Sequence, residues 1–203
     1  MCDTLNAFVT RIGKGNGERK MNVTNGKIAE QSRNKIREAL LTVMKQYDFK
    51  EITVTQIVQE AQLSRQTFYR LFPDKEAVLM LCFEAFFMEC LALIKSQNIH
   101  HYWEVVQVYF DFWESKKETL LLFKKNGLLP FLFEYSYQHS AEVFAFVRSS
   151  ETVDAFSRQL PYLLAYAVGG MHSMLLKWTE NDMAVPSAEL IESLKNGLMS
   201  PDI

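Results

Sequence analysis

The chain has 203 residues, of which 48% are hydrophobic and 23% charged, a composition that excludes a disordered or fibrous protein and fits one domain or two small ones. Its formal net charge of −2 excludes a uniformly basic protein that coats nucleic acid. The charge is unevenly divided, because residues 1–75 contain 13 basic and 8 acidic side chains, whereas residues 76–203 contain 9 and 16. A basic N-terminal part therefore precedes an acidic C-terminal part.

The first 25 residues differ from the rest of the chain. Residues 13–17 are polar and rich in glycine, and residues 11–20 carry a net charge of +3. We expect residues 1–25 to form a disordered basic arm. The chain begins without a basic and apolar leader and has an odd number of cysteines. These features favour a reduced, cytoplasmic protein.

From about residue 26 the apolar residues recur at steps of three and four, which predicts helices. Thr53 and Gln56 form a capping box for a second helix, and Ser64 is a good N-cap for a third helix over residues 65–71. The predicted apolar face of the first helix consists of Ile28, Ser32, Ile36, Ala39, Leu40, Val43, Met44 and Tyr47.

Beyond Asp74 the same period continues to the end of the chain. It predicts helices over residues 75–97, 101–115, 117–125, 128–149, 152–179 and 187–196. No segment alternates polar and apolar residues in the manner of a strand. The predicted fold class is therefore all-α, with about nine helices. We expect a helix-turn-helix domain over residues 26–74 and a larger helical domain over residues 75–199.

The two short helices, residues 53–61 and 65–71, are joined by a tight turn and predict a helix-turn-helix. Apolar residues of the first would pack against Phe68, which leaves polar side chains of the second facing outward. Arg65 can pair with a guanine and Gln66 with an adenine. A helical hairpin with a polar face and no DNA partner has the same pattern, so spacing alone leaves both interpretations open. The outward side chains are Arg65, Gln66, Thr67, Tyr69 and Arg70.

Short motifs surround these two helices. Thr53-Val54 begins the first helix, Phe68-Tyr69 lies inside the second, and a Phe-Pro-x-Lys-Glu motif follows at residues 72–76. Over residues 27–79 this region closely resembles the TetR family of bacterial transcriptional regulators. One departure is Gln62, which stands in the turn where the family usually has Gly. Glutamine at a positive φ would be strained.

The resemblance implies roles for individual residues and for the whole chain. Tyr69 and Lys75 would contact phosphates, and Thr53 and Thr55 would lie near the DNA backbone, while residues 65–67 would read most of the bases. The protein would bind a pseudo-palindromic double-stranded DNA operator as a homodimer. Its C-terminal domain would dimerise and hold a small-molecule inducer. We therefore predict a transcriptional regulator, of repressor type, with no catalytic site, cofactor, metal or membrane partner.

Residues 167–178 and 186–190 resemble the end of a TetR subgroup that includes activators of dihydroxyacetone-kinase operons. Gly169 and Gly170 each cost about 1 kcal/mol relative to Ala in the middle of a helix, so a close approach of another helix is expected there. The uncharged stretch over residues 159–176 is interpreted as a dimer helix in preference to a membrane span or a monomeric core helix. The predicted interface consists of Tyr166, Gly169, Gly170, Met174, Trp178, Leu190 and Leu194.

Aromatic residues are dense after residue 75, and most are expected to form the core. A few could line an apolar pocket with some polar groups. A helical regulator controlled by a protein partner, acting as an activator or adaptor, is the alternative to control by a small molecule. The candidate pocket residues are Phe86, Cys90, Trp103, Phe110, Trp113, Tyr135, His139 and His172.

Overall fold

The computed structural model describes residues 23–147 and 158–198, and within these ranges the chain forms nine helices and no strand, which confirms the all-α prediction. The expected basic arm lies mostly outside the described residues, but α1 already begins at Val23. The helices are α1 Val23–Met44, α2 Val54–Glu60, α3 Arg65–Leu71, α4 Lys75–Ser96, α5 Tyr102–Ser115, α6 Lys117–Lys125, α7 Leu129–Val147, α8 Leu160–Glu180 and α9 Ser187–Leu198.

The first helix, α1, packs against α2, α3 and α4 through the apolar face that the sequence predicts. Ile36 and Leu40 are fully buried on this face. The prediction is wrong at both ends of the face, because Ile28 is 54% exposed and Tyr47 is 44% exposed. Ile28 precedes the first buried residue of α1, Ser32, and Tyr47 lies beyond the helix end, where the helical period no longer applies.

The turn between α2 and α3 forms a closed C-terminal cap. The Leu63 amide donates to the Val58 carbonyl at 2.9 Å, and the Gln62 amide donates to the Gln59 carbonyl at 3.2 Å. This double hydrogen bond is a Schellman motif, which places the residue after the C-cap in the left-handed region. That residue is Gln62, with φ of 54°. The strain that the sequence predicts at this position is therefore present.

The longest apolar helix, α4, connects the first three helices to the rest of the chain. It packs against α1 on one side and against α5 and α7 on the other. Its length and its mean hydropathy of 2.2 would allow it to cross a membrane. Residues 159–176, which the sequence analysis interpreted as a dimer helix in preference to a span, do not meet that test. Seven apolar residues of α4 are buried in the protein interior: Val78, Leu79, Cys82, Phe83, Cys90, Leu91 and Ile94.

Among the C-terminal helices, α5 and α7 pack against α4, and the last helix, α9, packs against α5. Trp178 of α8 joins these layers, because its indole N–H donates to the Val185 carbonyl at 2.8 Å and its ring lies 5.5 Å from that of Phe110. Ser187, at the start of α9, donates its amide to Glu114 of α5 at 3.1 Å. These contacts fix the last helix to the same core that α4 enters.

Candidate DNA-binding surface and apolar pocket

One face of α3 is polar and exposed, and the opposite face is buried. Arg65, Gln66, Tyr69 and Arg70 are exposed, whereas Phe68 is completely buried. The Arg65 guanidinium lies 6.0 Å from the centre of the Tyr69 ring. Because residues at i, i+1, i+4 and i+5 share one side of a helix, these four side chains form a continuous surface. A surface of this size and polarity can enter a major groove.

Two of the three threonines predicted to lie near DNA have capping contacts. The Thr53 hydroxyl accepts from the Gln56 amide at 3.3 Å, and the Gln56 side chain accepts from the Thr53 amide at 2.8 Å, so the predicted capping box is present. Thr67 lies with its hydroxyl 2.9 Å from the Ser64 hydroxyl. Thr55 is exposed on α2. Capping thus fixes the side chains of Thr53 and Thr67.

Lys75, at the first position of α4, donates into a turn of the backbone. Its ammonium lies 2.7 Å from the carbonyl oxygen of Phe49, 3.0 Å from that of Lys50 and 2.8 Å from that of Ile52. It also lies 4.9 Å from the centre of the Phe49 ring. An ammonium has three N–H donors, and all three are used here. This geometry favours a role for Lys75 in positioning the turn. It is less consistent with the free phosphate donor that the resemblance implies.

The same turn, residues 45–53, is held from a second side by α6. The Phe49 amide donates to Asn126 Oδ1 at 2.5 Å, and the Asn126 amide group donates to the Leu122 carbonyl at 2.9 Å. We call residues 45–53 the α1–α2 turn. Lys75 and Asn126 both bind the Phe49 backbone, one at its carbonyl and one at its amide. The segment that leads into α2 is therefore fixed by helices outside the helix-turn-helix.

An apolar cavity of about 340 Å³ lies between α4, α5, α7 and α8. This volume is within the ~300–1,000 Å³ typical of small-molecule sites. Four of the eight candidate pocket residues line it, namely Phe86, Cys90, Trp113 and His172. The His172 ring packs on Phe133, with centroids 4.4 Å apart.

The other four candidates lie outside the lining: Trp103, Phe110, Tyr135 and His139. Phe110 is instead a core residue against Trp178. Tyr135 is buried and stacks on His139 with centroids 4.4 Å apart. Aromatic residues at helical spacing can pack into the core or line a cavity, and sequence alone does not separate these two positions.

The sequence analysis missed most of the lining contributed by α4. These residues follow the steps of three, four, seven and eight that define one helix face, so the period contained the signal. It became informative only once the opposite face of α4 was known to pack on α1. The lining residues of α4 are Phe83, Phe86, Phe87, Cys90, Leu91 and Ile94.

Four titratable groups in the lining have pKa values shifted toward their neutral forms. Burial raises the pKa of the Cys90 thiol to about 12, with a smaller contribution from the Glu89 carboxylate. Burial also raises the pKa of Tyr109 and that of Tyr102, and it lowers the pKa of His172. Desolvation disfavours the charged form of each group. At neutral pH these side chains therefore carry no charge.

The predicted dimer helix, α8, has an exposed face. Tyr162 and Tyr166 are 78% and 76% exposed. A Cβ atom added at Gly169 or Gly170 would meet nothing within 4 Å, so none of the described helices makes the close approach expected at this glycine pair.

The remaining predicted interface residues differ in burial. Trp178 is buried within the chain and is therefore a core residue and not part of an exposed face. Met174 and Leu190 are partly buried against the same core, and Leu194 is half-buried. The exposed apolar surface of α8 is thus concentrated in its first half.

Comparison with known proteins identifies one matching family model and a similar solved structure. Residues 36–80 match the model described as bacterial regulatory proteins, tetR family. No curated protein matches. A solved structure of the fatty acid degradation regulator FadR from Bacillus halodurans is similar in fold, with 16% identity, a TM-score of 0.52, and coverage of 90% of this chain and 98% of that chain.

These matches bear on the resemblance seen in the sequence. The matched residues run from the middle of α1 through the helix-turn-helix into the start of α4, and they include the exposed face of α3. The similar structure extends the likeness in fold over most of the chain. Neither match addresses the dihydroxyacetone-kinase subgroup, which remains a prediction. Residues 36–80 are thus similar to bacterial regulatory proteins of the tetR family, and the chain as a whole is similar in fold to the FadR structure.

Proposed function

We propose that this protein is a cytoplasmic transcriptional repressor that binds a pseudo-palindromic operator as a homodimer and responds to a small molecule held in its apolar pocket. The observation that supports DNA reading most directly is the α3 surface of Arg65, Gln66, Tyr69 and Arg70 above the buried Phe68. Arginine and glutamine are the side chains that recognise guanine and adenine bidentately. Thr67 of the same helix would join Arg65 and Gln66 in base reading, and Thr53 and Thr55 would lie near the DNA backbone.

Binding-site selection from random duplex DNA with the full-length protein tests this proposal. We expect two inverted half-sites, and we expect Arg65→Ala to lose preference at one base position in each half-site, by about 1–3 kcal/mol. Lys125→Ala, at the end of α6, is the matched control for lost charge and should select the same sequence. Unchanged base preference in the Arg65 variant would remove Arg65 from base reading, and absence of any selected sequence would contradict the proposal.

The homodimer is supported by the exposed first half of α8. Tyr162 and Tyr166 lie one turn apart and present large apolar rings to solvent, and Gly169 and Gly170 leave open space on the same helix. Small residues beside exposed aromatic side chains allow two helices to approach closely. We expect Tyr166→Glu to weaken the dimer in sedimentation equilibrium. Tyr47→Glu, which changes an exposed tyrosine far along the chain, should leave the dimer intact.

Control by a protein partner is the alternative to control by a small molecule. The cavity between α4 and α8 favours the small molecule, because its lining is concave and apolar. Purification of the tagged protein under native conditions separates the two. A stoichiometric protein partner that releases the operator would favour the alternative, whereas release by a low-molecular-weight extract would favour the pocket.

A further inference from the structure

The described part of the pocket lining offers no acidic or basic side chain of fixed charge to pair with an ionised ligand group. None of the described side chains that form it is Asp, Glu, Lys or Arg. Its two serines are already bonded to their own helix, Ser136 to the Leu132 carbonyl at 2.9 Å and Ser140 to the Tyr137 carbonyl at 2.7 Å. Within residues 23–147 and 158–198, no buried side-chain nitrogen or oxygen lacks a hydrogen-bond partner.

The lining of the pocket also extends along much of two helices. On α4 it extends from Phe83 to Ile94, which is about 16 Å at the rise of an α-helix. On α7 it extends from Leu132 to Val147, which is about 22 Å by the same rise. A mostly apolar lining of this length suits a ligand that extends along α4 and α7.

We propose that the effector of this protein is a linear hydrocarbon chain that lies along α4, and that any ionised group of the effector stays outside the lining. This proposal deepens the small-molecule response proposed above and rests on it. A carboxylate or ammonium inside the pocket would lose its water and find no opposite charge, which is strongly unfavourable. The pocket would then select ligands by the length and apolarity of their hydrocarbon chain, because each buried methylene contributes separately to binding.

Isothermal titration of the full-length protein with primary alcohols of 8, 10 and 12 carbons tests the proposal without DNA. The dissociation constant should fall about fourfold for each added methylene. The matched α,ω-dicarboxylates at pH 8 carry a charge at both ends, so one charge would have to enter the lining, and they should not bind. An affinity independent of chain length, or equal binding of the dicarboxylates, would overturn the proposal.

Two substitutions on α7 place the alcohol in this cavity. Val143 lines the pocket, whereas Ala145 of the same helix is exposed. We expect Val143→Asp to weaken dodecanol binding at least tenfold and Ala145→Asp to leave it unchanged. Val143→Thr keeps the side-chain shape and should weaken binding several-fold, which preserves the test if the aspartate variant does not fold. Equal affinity in all variants would place the alcohol elsewhere and contradict the proposal.

Operator release is measured separately by adding dodecanol to the protein bound to its selected DNA. Binding of the alcohol with the expected chain-length dependence but without operator release would support the ligand class and contradict the proposed regulation. The two proposals therefore fail in distinguishable ways.

Discussion

Replacing Lys75 by methionine removes the ammonium that holds the α1–α2 turn while keeping most of the aliphatic stem. Two of the three carbonyls it binds, those of Phe49 and Ile52, are partly buried, and the third, that of Lys50, is exposed and can turn to water. An unpaired buried carbonyl costs about 1 kcal/mol or more, and the lost contact with the Phe49 ring adds about 0.5–1 kcal/mol. We expect the free energy of unfolding to fall by about 2–3 kcal/mol.

Urea unfolding followed by circular dichroism measures this change. The melting temperature should fall by roughly 4–12 °C for a chain of this size. Lys50→Met removes an exposed lysine from the same turn and should change stability by less than about 0.5 kcal/mol. If Lys75 were a free phosphate contact, its loss would leave stability intact and lower the slope of log K against log salt by about one unit. That pair of results would refute the positioning role.

Three further changes probe single features of the structure. Gln62→Gly should raise the free energy of unfolding by about 1 kcal/mol, because glycine adopts positive φ without strain; Gln62→Ala is the control and should give no gain in urea unfolding. Asn126→Ala leaves the Phe49 amide without its acceptor, so stability should fall by about 1–2 kcal/mol and hydrogen exchange at that amide should accelerate; an unchanged exchange rate would contradict the contact. Burial lowers the pKa of His172 below its ordinary 6.5, so only the unfolded state takes up a proton there as the pH falls through 6.5. Stability should therefore decline between pH 7 and pH 5, and His172→Gln should reduce that decline in unfolding curves measured at both pH values.

The helices and their caps were predictable because their signals are local. The capping box at Thr53 and the cap at Ser64 satisfy backbone amides within three residues, so the residue types alone determine them. The strain at Gln62 was predictable for the same reason, since the turn needs a positive φ. The buried face of α3 was predictable as well, because Phe68 is a large apolar residue in the middle of a short helix of otherwise mostly polar residues.

The pocket and the role of Lys75 were only partly predictable because they depend on segments distant in the sequence. Cys90 and His172 meet in one cavity although 82 positions separate them, and Phe110 differs from Phe86 only in which helices surround it. The lysine that the resemblance assigned to phosphate binding turned out to reach backbone carbonyls more than twenty positions earlier. Residue type and period cannot indicate such long-range partners.

The two hydrogen bonds that Lys75 and Asn126 make with the Phe49 backbone affect how the chain is expected to unfold. The backbone of the α1–α2 turn belongs by sequence to the helix-turn-helix region, but both of its partners, Lys75 and Asn126, lie beyond residue 74. A fragment that ends at residue 74 lacks both groups, so its turn loses the amide and carbonyl partners together. We therefore expect the helix-turn-helix and the pocket helices to melt in a single transition, at a temperature that a ligand bound in the pocket would raise for both.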